Sequence, residues 1–378
     1  VEFILKLPIM SIFSKLLILT ILLTSMSLSY THSQIPDQKV RMGIIGATHD
    51  HIGFMGDPSF LDRIEIVGVA ETDLAILQAQ GKRFGWSREI LFEKWEKMLK
   101  KAKPEAVMVF TSPLEHPDVV RLCAPLGIHV MVEKPFAISM EAAEEMAALA
   151  KKHQIHLLTN YETTWYASNH FAHEQVQAGK IGPLRKVVVH DGHWGPKEIG
   201  CTEAFLEWLL DPIENGGGAL TDFGCYGANL TTWLTSGKRP KSVFAQVNQF
   251  KTDPVYAKVD DEATILLEYE DMQAVIQASW NWPYNRKDME VYGTDGFVNP
   301  LDGTRLRMRT SHEAAEENME LEGRKAPFNN PVTYFTAVVK GEIDPAGSLS
   351  SLENNLIVTE ILTAAMQSAR TGQKVKLK

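Results

Sequence analysis

The chain has 378 residues, 44% apolar and 22% charged, with a formal net charge of −9 and three cysteines. That length suits two or three domains and supports a large core without disulfides or metals. The composition excludes a disordered chain, a collagen-like repeat and a multi-span membrane protein. The negative charge argues against a nucleic-acid partner. Cys123, Cys201 and Cys225 are too scattered for a disulfide framework or a thiolate zinc site.

Residues 1–35 read as an export signal. Lys15 precedes an apolar run from Leu16 to Leu23, and Ser25, Ser27, Ser29 and Ser33 follow. The run is shorter than the roughly 20 apolar residues that span a bilayer. A cleaved signal and an exported, periplasmic protein are expected, with no stable membrane insertion afterwards. Two alternatives stay open: an uncleaved anchor, and a misplaced start (Met10 is a better first residue) that leaves the protein cytoplasmic.

From Val40 the pattern changes. Val40–Ile45 predicts a strand running into a turn at Gly46, and Ile64–Ala70 predicts a second strand ending at Glu71. The spacing fits a βαβ nucleotide-binding unit, with pyrophosphate on a helix N-terminus and the acid on a ribose. The glycine fingerprint is incomplete, because Thr48 and His51 stand near where later glycines are usual. The Thr48 hydroxyl is suited to a phosphate. An acid at Glu71 repels a 2′-phosphate and so favours NAD over NADP; a plain strand end in solvent explains it too. His49 and His51 are expected to touch the cofactor or cap the first helix.

Further on, Ala106–Phe110 predicts a buried strand broken by Thr111-Ser112-Pro113, with a helix over Pro117–Leu126. Ile128–Val132 predicts another strand, with Glu133-Lys134-Pro135 at its C-terminal end, and Ser139 caps a helix over Met140–Lys152. Strands alternating with helices predict a doubly wound α/β sheet that binds ligands at its C-terminal edge. In the second half, Leu184–His190, Ser242–Phe250, Ala263–Tyr269 and Gln273–Trp282 alternate as half-buried strands of an open, mainly antiparallel sheet. A last helix runs from about Ser351 to Arg370. The expected organisation is a leader (1–35), a Rossmann domain (36–158) and an α+β domain for substrate binding and oligomerisation (159–378). The last helix is free to pack back on the Rossmann domain.

Gly43-Ile44-Ile45-Gly46, the Thr111-Ser112-Pro113 break with His116 after it, and Gly127-Ile128-His129-Val130-Met131-Val132-Glu133-Lys134-Pro135 together resemble the Gfo/Idh/MocA oxidoreductases, relatives of glucose-fructose oxidoreductase and inositol dehydrogenase. The resemblance implies an NAD-binding Rossmann domain with Gly46, Thr48, His49, Glu71, Thr111, His116, Glu133 and Lys134 near the cofactor. It also implies homo-oligomers formed through the open sheet. In the stretch Asn215–Asn229, Asp222 and Tyr226 are four apart and so share a helical face. The family's usual motif has His at position 226 and often Asp at 229. Tyr226 and Asn229 instead are similar to the glucose-fructose oxidoreductase branch, where tyrosine takes the proton-transfer role.

The implied reaction is hydride transfer between a sugar secondary alcohol and nicotinamide, with Lys134, Asp222 and Tyr226 as catalytic residues. A free tyrosine, with a pKa of about 10, is a poor base at neutral pH; a nearby Lys134 ammonium is expected to lower it. Asp222 would orient Lys134 or bind a substrate hydroxyl, and Glu133 would position Lys134 or meet the nicotinamide ribose. Simpler roles exist for each: a strand-end ion pair for Glu133-Lys134, an N-cap for Asp222, a packed core side chain for Tyr226. Tyr161, Trp165, His190, His193 and Asn229 are candidate substrate contacts, since aromatic rings pack on the C–H faces of sugars and polar groups meet hydroxyls. No metal is expected, because neither a His-Glu-x-x-His string nor paired cysteines occur.

Export leaves a dehydrogenase without a free NAD pool. A tightly held cofactor recycled by a second sugar resolves this. So does a redox-neutral, NAD-dependent glycoside hydrolase or lyase that oxidises the sugar transiently. A non-catalytic dinucleotide or sugar binder is the reading from another class.

Overall fold

The structure is a computed structural model that describes residues 38–377, so the leader lies outside the described residues. Six strands form a parallel sheet: β1 (Val40–Ile45), β2 (Ile64–Ala70), β3 (Leu91–Phe92), β4 (Ala106–Val109), β5 (His129–Glu133) and β6 (Leu157–Asn160). Their order is β3-β2-β1-β4-β5-β6, with the reversal of a doubly wound fold beside β1. Strand β4 is buried at every residue, as a strand covered on both faces must be. Helices α1 (Leu74–Phe84), α2 (Trp95–Ala102), α3 (His116–Cys123) and α4 (Met140–His153) return the chain between strands. Asp73 caps the start of α1 through the amides of Ala75 and Ile76, and Gly85 closes it in a left-handed turn.

One crossover departs from expectation. No α-helix joins β1 to β2; two 3-10 turns, Asp50–Gly56 and Pro58–Phe60, take its place. Gly53, Gly56 and Pro58 within eleven residues oppose a continuous helix. The sheet face left thin there is completed from far along the chain. Val332, Tyr334, Phe335 and Val338 pack with Met42, Ile44, Met108 and Met131 of the strands.

The second sheet has nine strands in the order β14-β13-β12-β11-β7-β10-β9-β8-β15. They are β7 (Leu184–Gly192), β8 (Ser242–Asn248), β9 (Glu262–Glu268), β10 (Gln273–Ser279), β11 (Arg286–Gly293), β12 (Phe297–Pro300), β13 (Arg305–Arg309), β14 (Glu317–Glu320) and β15 (Val375–Lys376). Only β7 and β10 pair in parallel; the other ladders are antiparallel. Six more helices accompany it: α5 (Ala167–Gln177), α6 (Glu203–Leu209), α7 (Ala219–Asp222), α8 (Gly224–Leu234), α9 (Pro331–Val339) and α10 (Leu352–Thr371). Every residue of α8 is buried. Leu352 and Leu356, at the start of α10, pack on the core beneath the first sheet, and Thr159 N–H donates to the Ser350 carbonyl at 3.0 Å. The two sheets thus share apolar cover supplied by the C-terminal helices.

Candidate active site

Strand β5 carries Glu133 and Lys134 to the C-terminal edge of the first sheet, and both side chains are buried. Their roles separate. Glu133 accepts from Asn160 Nδ2 at 2.7 Å and lies 2.8 Å from His51 Nδ1, so it does not position Lys134. Lys134 Nζ forms an ion pair with Asp222 instead. Burial alone would lower the lysine's pKa, but the Asp222 carboxylate more than offsets this and raises it. Burial would raise Asp222, yet the Lys134 ammonium holds it below the ordinary carboxylate range. Trp280 Nε1 donates to the other Asp222 oxygen at 3.0 Å, so both ends of the carboxylate are pinned.

Asp222 is the last residue of α7, not an N-cap, and Phe223 joins α7 to α8. The predicted single helical face is therefore two short pieces. Tyr226 lies in the first turn of α8, almost wholly buried, with its hydroxyl hydrogen-bonded to nothing among the described residues. The Lys134 ammonium stands 5.5 Å from the centre of its ring, and Lys287, from β11, stands 5.5 Å from the same centre. The expected lowering of the tyrosine pKa does not occur. Burial, and then the Glu162 carboxylate, push it well above the ordinary value; both ammonium groups beside the ring are already paired, Lys134 with Asp222 and Lys287 with Glu162. These groups line a cavity of about 310 Å³ together with His51, Asp50, His193, Glu162, Asn285 and the edge of α6.

Two family models match this arrangement. The NAD-binding Rossmann model of the oxidoreductase family covers residues 40–161, and the GFO/IDH/MocA C-terminal domain model covers 170–299. The chain belongs to the Gfo/Idh/MocA oxidoreductase family. Among curated relatives, trans-1,2-dihydrobenzene-1,2-diol dehydrogenase of Xenopus tropicalis is 25% identical over 236 residues, 62% of this chain and 66% of that one. The match thus spans just under two thirds of that relative's length. D-apiose dehydrogenase of Paraburkholderia graminis is 24% identical over 337 residues, 84% of each chain. Among solved structures, aldose-aldose oxidoreductase from Caulobacter crescentus, complexed with glycerol, superposes with a TM-score of 0.76 at 23% identity, over 90% of this chain and 100% of that one.

In this Gfo/Idh/MocA chain most of the residues expected near the cofactor stand at the turns after β1 and β4, with Glu71 after β2 and Glu133 and Lys134 at the end of β5. Gly46 adopts φ +78°, and a Cβ there would lie 2.4 Å from Thr111 Cγ2, so only glycine lets the two turns meet. Glu71 is buried rather than solvated. Its oxygens accept from the amides of Ala47 at 2.7 Å and Asp73 at 3.0 Å, bracing the glycine turn. Thr48 Oγ1 donates to the Phe110 carbonyl at 3.4 Å, and Thr111 Oγ1 to the Ser112 carbonyl at 3.1 Å. His49 caps the 3-10 turn by accepting from His51 N–H, while Phe205 and Trp208 of α6 cover its ring. His116 Nδ1 lies 3.1 Å from the Phe136 carbonyl. The Nε2 atoms of His49 and His116 are buried without a partner. A dinucleotide bound at these turns would meet unsatisfied nitrogens, so the residues fit the NAD that this domain family binds. His49, His51 and Glu133 place one possible ligand atom each within 4.8 Å of one another. Hydrogen bonds already occupy His49 Nδ1 and both Glu133 oxygens, and the set is not read as a metal centre.

The expected substrate contacts divide. His193 lines the cavity. Tyr161 does not: it is fully buried, edge-on to Tyr226, with its hydroxyl donating to Asn355 at 2.9 Å. Asn229 is likewise a core residue that donates to the Leu349 carbonyl and to Asn355. His190 is held at 3.1 Å by Asp288, away from the cavity, and Trp165 donates to Asn160. Tyr226 reaches the cavity from the first turn of α8, whereas Asn229, one turn on, is engaged by the Leu349 carbonyl and Asn355 of the core. Sequence reasoning missed the Glu162–Lys287 ion pair on the cavity wall. Nothing in the local pattern marked Lys287, because its partner is contributed by the turn after β6. Asp191 was missed too; burial pushes its carboxyl well above the ordinary range, and neither oxygen has a partner.

Proposed function

We propose that this protein is an NAD-dependent oxidoreductase acting on a secondary alcohol, or the matching ketone, of a sugar or polyol. The observation that carries the reading is one cavity holding a buried Lys134–Asp222 pair beside a tyrosine hydroxyl with no protein partner. The sugar acted on by the D-apiose relative and the aldoses named for the structural neighbour support the substrate class. Bound NAD supplies the hydride acceptor at nicotinamide C4 and, when reduced, the hydride donor. Lys134, fixed by Asp222, holds the reacting oxygen by an ammonium hydrogen bond. Tyr226 is kept as the neutral phenol, so it serves best as the proton donor to a carbonyl oxygen being reduced. The phenolate left behind forms on a ring whose centre lies 5.5 Å from the Lys134 ammonium and 5.5 Å from that of Lys287. Oxidation runs the same steps backwards and needs the phenolate first.

The test is a panel of sugars and polyols, including D-glucose, myo-inositol and D-apiose, with NAD in one direction and the matching ketones with NADH in the other. Nicotinamide absorbance is followed. Turnover that falls at least about 100-fold in Lys134→Met is expected; Lys134→Met with full activity would sink the mechanism. Assaying released sugar from glycosides in the same mixtures distinguishes net oxidation from a redox-neutral cleavage.

A further inference from the structure

His193 follows β7 by one residue and accepts a hydrogen bond from Gly195 N–H at Nδ1, 3.0 Å away. The donor is a backbone amide, so the direction of this bond is fixed. A neutral imidazole whose Nδ1 accepts carries its proton on Nε2. That nitrogen has no partner among the described residues, and the ring lines the cavity. Phe223 ties the group to the chemistry. His193 stands edge-on to its ring at 5.0 Å, Lys134 Nζ lies 5.9 Å over it, and Tyr226 stacks 5.8 Å from it.

We infer, building on the oxidoreductase reading, that His193 is a further catalytic residue: a neutral imidazole that donates its Nε2–H to the sugar oxygen served by Lys134 and Tyr226. As a ketone is reduced, the hydride forms the new C–H bond and the carbonyl π pair moves to oxygen. The phenolic proton of Tyr226 completes the hydroxyl, and the phenolate regains a proton from water. His193 stabilises the oxygen as its charge grows and neither gains nor loses a proton. A positioned donor aimed at developing charge is the arrangement that lowers such barriers.

The surroundings hold the ring in that state. Asp222 of α7 and Glu198 of the loop after β7 favour an imidazolium, whereas burial, Lys287 of β11 and Lys134 beyond β5 oppose it. The opposing set prevails, and the pKa falls to about 4. The ring is therefore a donor, and not a base, across neutral pH.

The experiment is nitrogen NMR of the full chain labelled at histidine, with the His193 signal identified by its loss in His193→Gln. The expected spectrum is the Nε2-protonated neutral tautomer, unchanged between about pH 8 and pH 5. An imidazolium at neutral pH or an Nδ1–H tautomer would overturn the inference. Kinetics on a sugar from the panel supply the second readout. His193→Leu should lower kcat about 100-fold with KM little changed, and His193→Gln, which keeps an N–H donor, should recover part of that loss. A rise in KM at constant kcat would reduce His193 to substrate binding and overturn the catalytic role. Wild-type protein that turns over no sugar or ketone would overturn the oxidoreductase reading and this role together. An active wild type with an equally active His193→Leu removes this role alone.

Discussion

Tyr226 shows how surroundings decide what a side chain does. The resemblance to the glucose-fructose oxidoreductase branch implied a tyrosine activated by a lysine, yet burial and the Glu162 carboxylate push its pKa up. The sign of the pH dependence follows. Sugar oxidation requires the phenolate, so its kcat should climb with pH into the alkaline range, whereas ketone reduction should hold steady through neutral pH. Initial rates in both directions check this, and an oxidation rate that levels off below about pH 8 contradicts it. Tyr226→Phe should lower both directions about 100-fold or more while NAD titration stays unchanged. Asp222 carries the stability counterpart. Its pKa is lowered in the folded state, so its contribution is present above the ordinary carboxylate range and is lost as pH falls through the folded value. Asp222→Asn leaves the Lys134 ammonium buried and unpaired, at a cost of about 3–5 kcal/mol. Thermal unfolding at neutral pH should show a clear drop in Tm, smaller in acid.

At the scale of elements, the turn after β1 governs the cofactor end. Gly46 faces Thr111 so closely that Gly46→Ala must separate the two turns or strain a left-handed backbone. NAD affinity measured by calorimetry should fall at least about tenfold while the melting profile shifts by only a few degrees. Unchanged affinity would show that the cofactor does not use this turn. The alternation of strands and helices in the first domain was legible because parallel strands are near-continuous apolar runs, and Ser139 marks the start of α4 as its cap. The missing first helix was legible in principle too, in Gly53, Gly56 and Pro58, but the expectation of a complete βαβ unit overrode it. Asn229 and Tyr161 were misplaced for a different reason. A polar residue that satisfies another core amide, here Asn355, looks in sequence like one awaiting a ligand.

At the scale of the molecule, the nine-stranded sheet has one face packed on α8 and α10. Its other face alternates, with residues such as Val188, Thr264, Leu266 and Val275 only half-buried. A partly apolar, open sheet face suits association with a second copy. We expect a dimer or larger homo-oligomer, which light scattering at micromolar concentration checks; a monomer would refute it. Export remains a proposal that belongs to the leader. Fractionation of expressing cells, with N-terminal sequencing of the product, tests whether the chain reaches the periplasm and is cut near Ser33.

The sequence by itself determined the doubly wound domain, the mainly antiparallel second sheet and the position of Lys134 at a strand's C-terminal end. These depend on local periodicity and on strand-end turns, which neighbours in the chain specify. The tertiary structure alone decided which groups meet. Lys134 chose Asp222 over its neighbour Glu133, Glu133 turned to His51 and Asn160, and Lys287 found Glu162 across 125 residues. It also decided charge states, since the burial that raises Tyr226 and lowers His193 depends on what packs around them. Pairing and desolvation are properties of space rather than of spacing along a chain, so those parts of the site had to be seen folded.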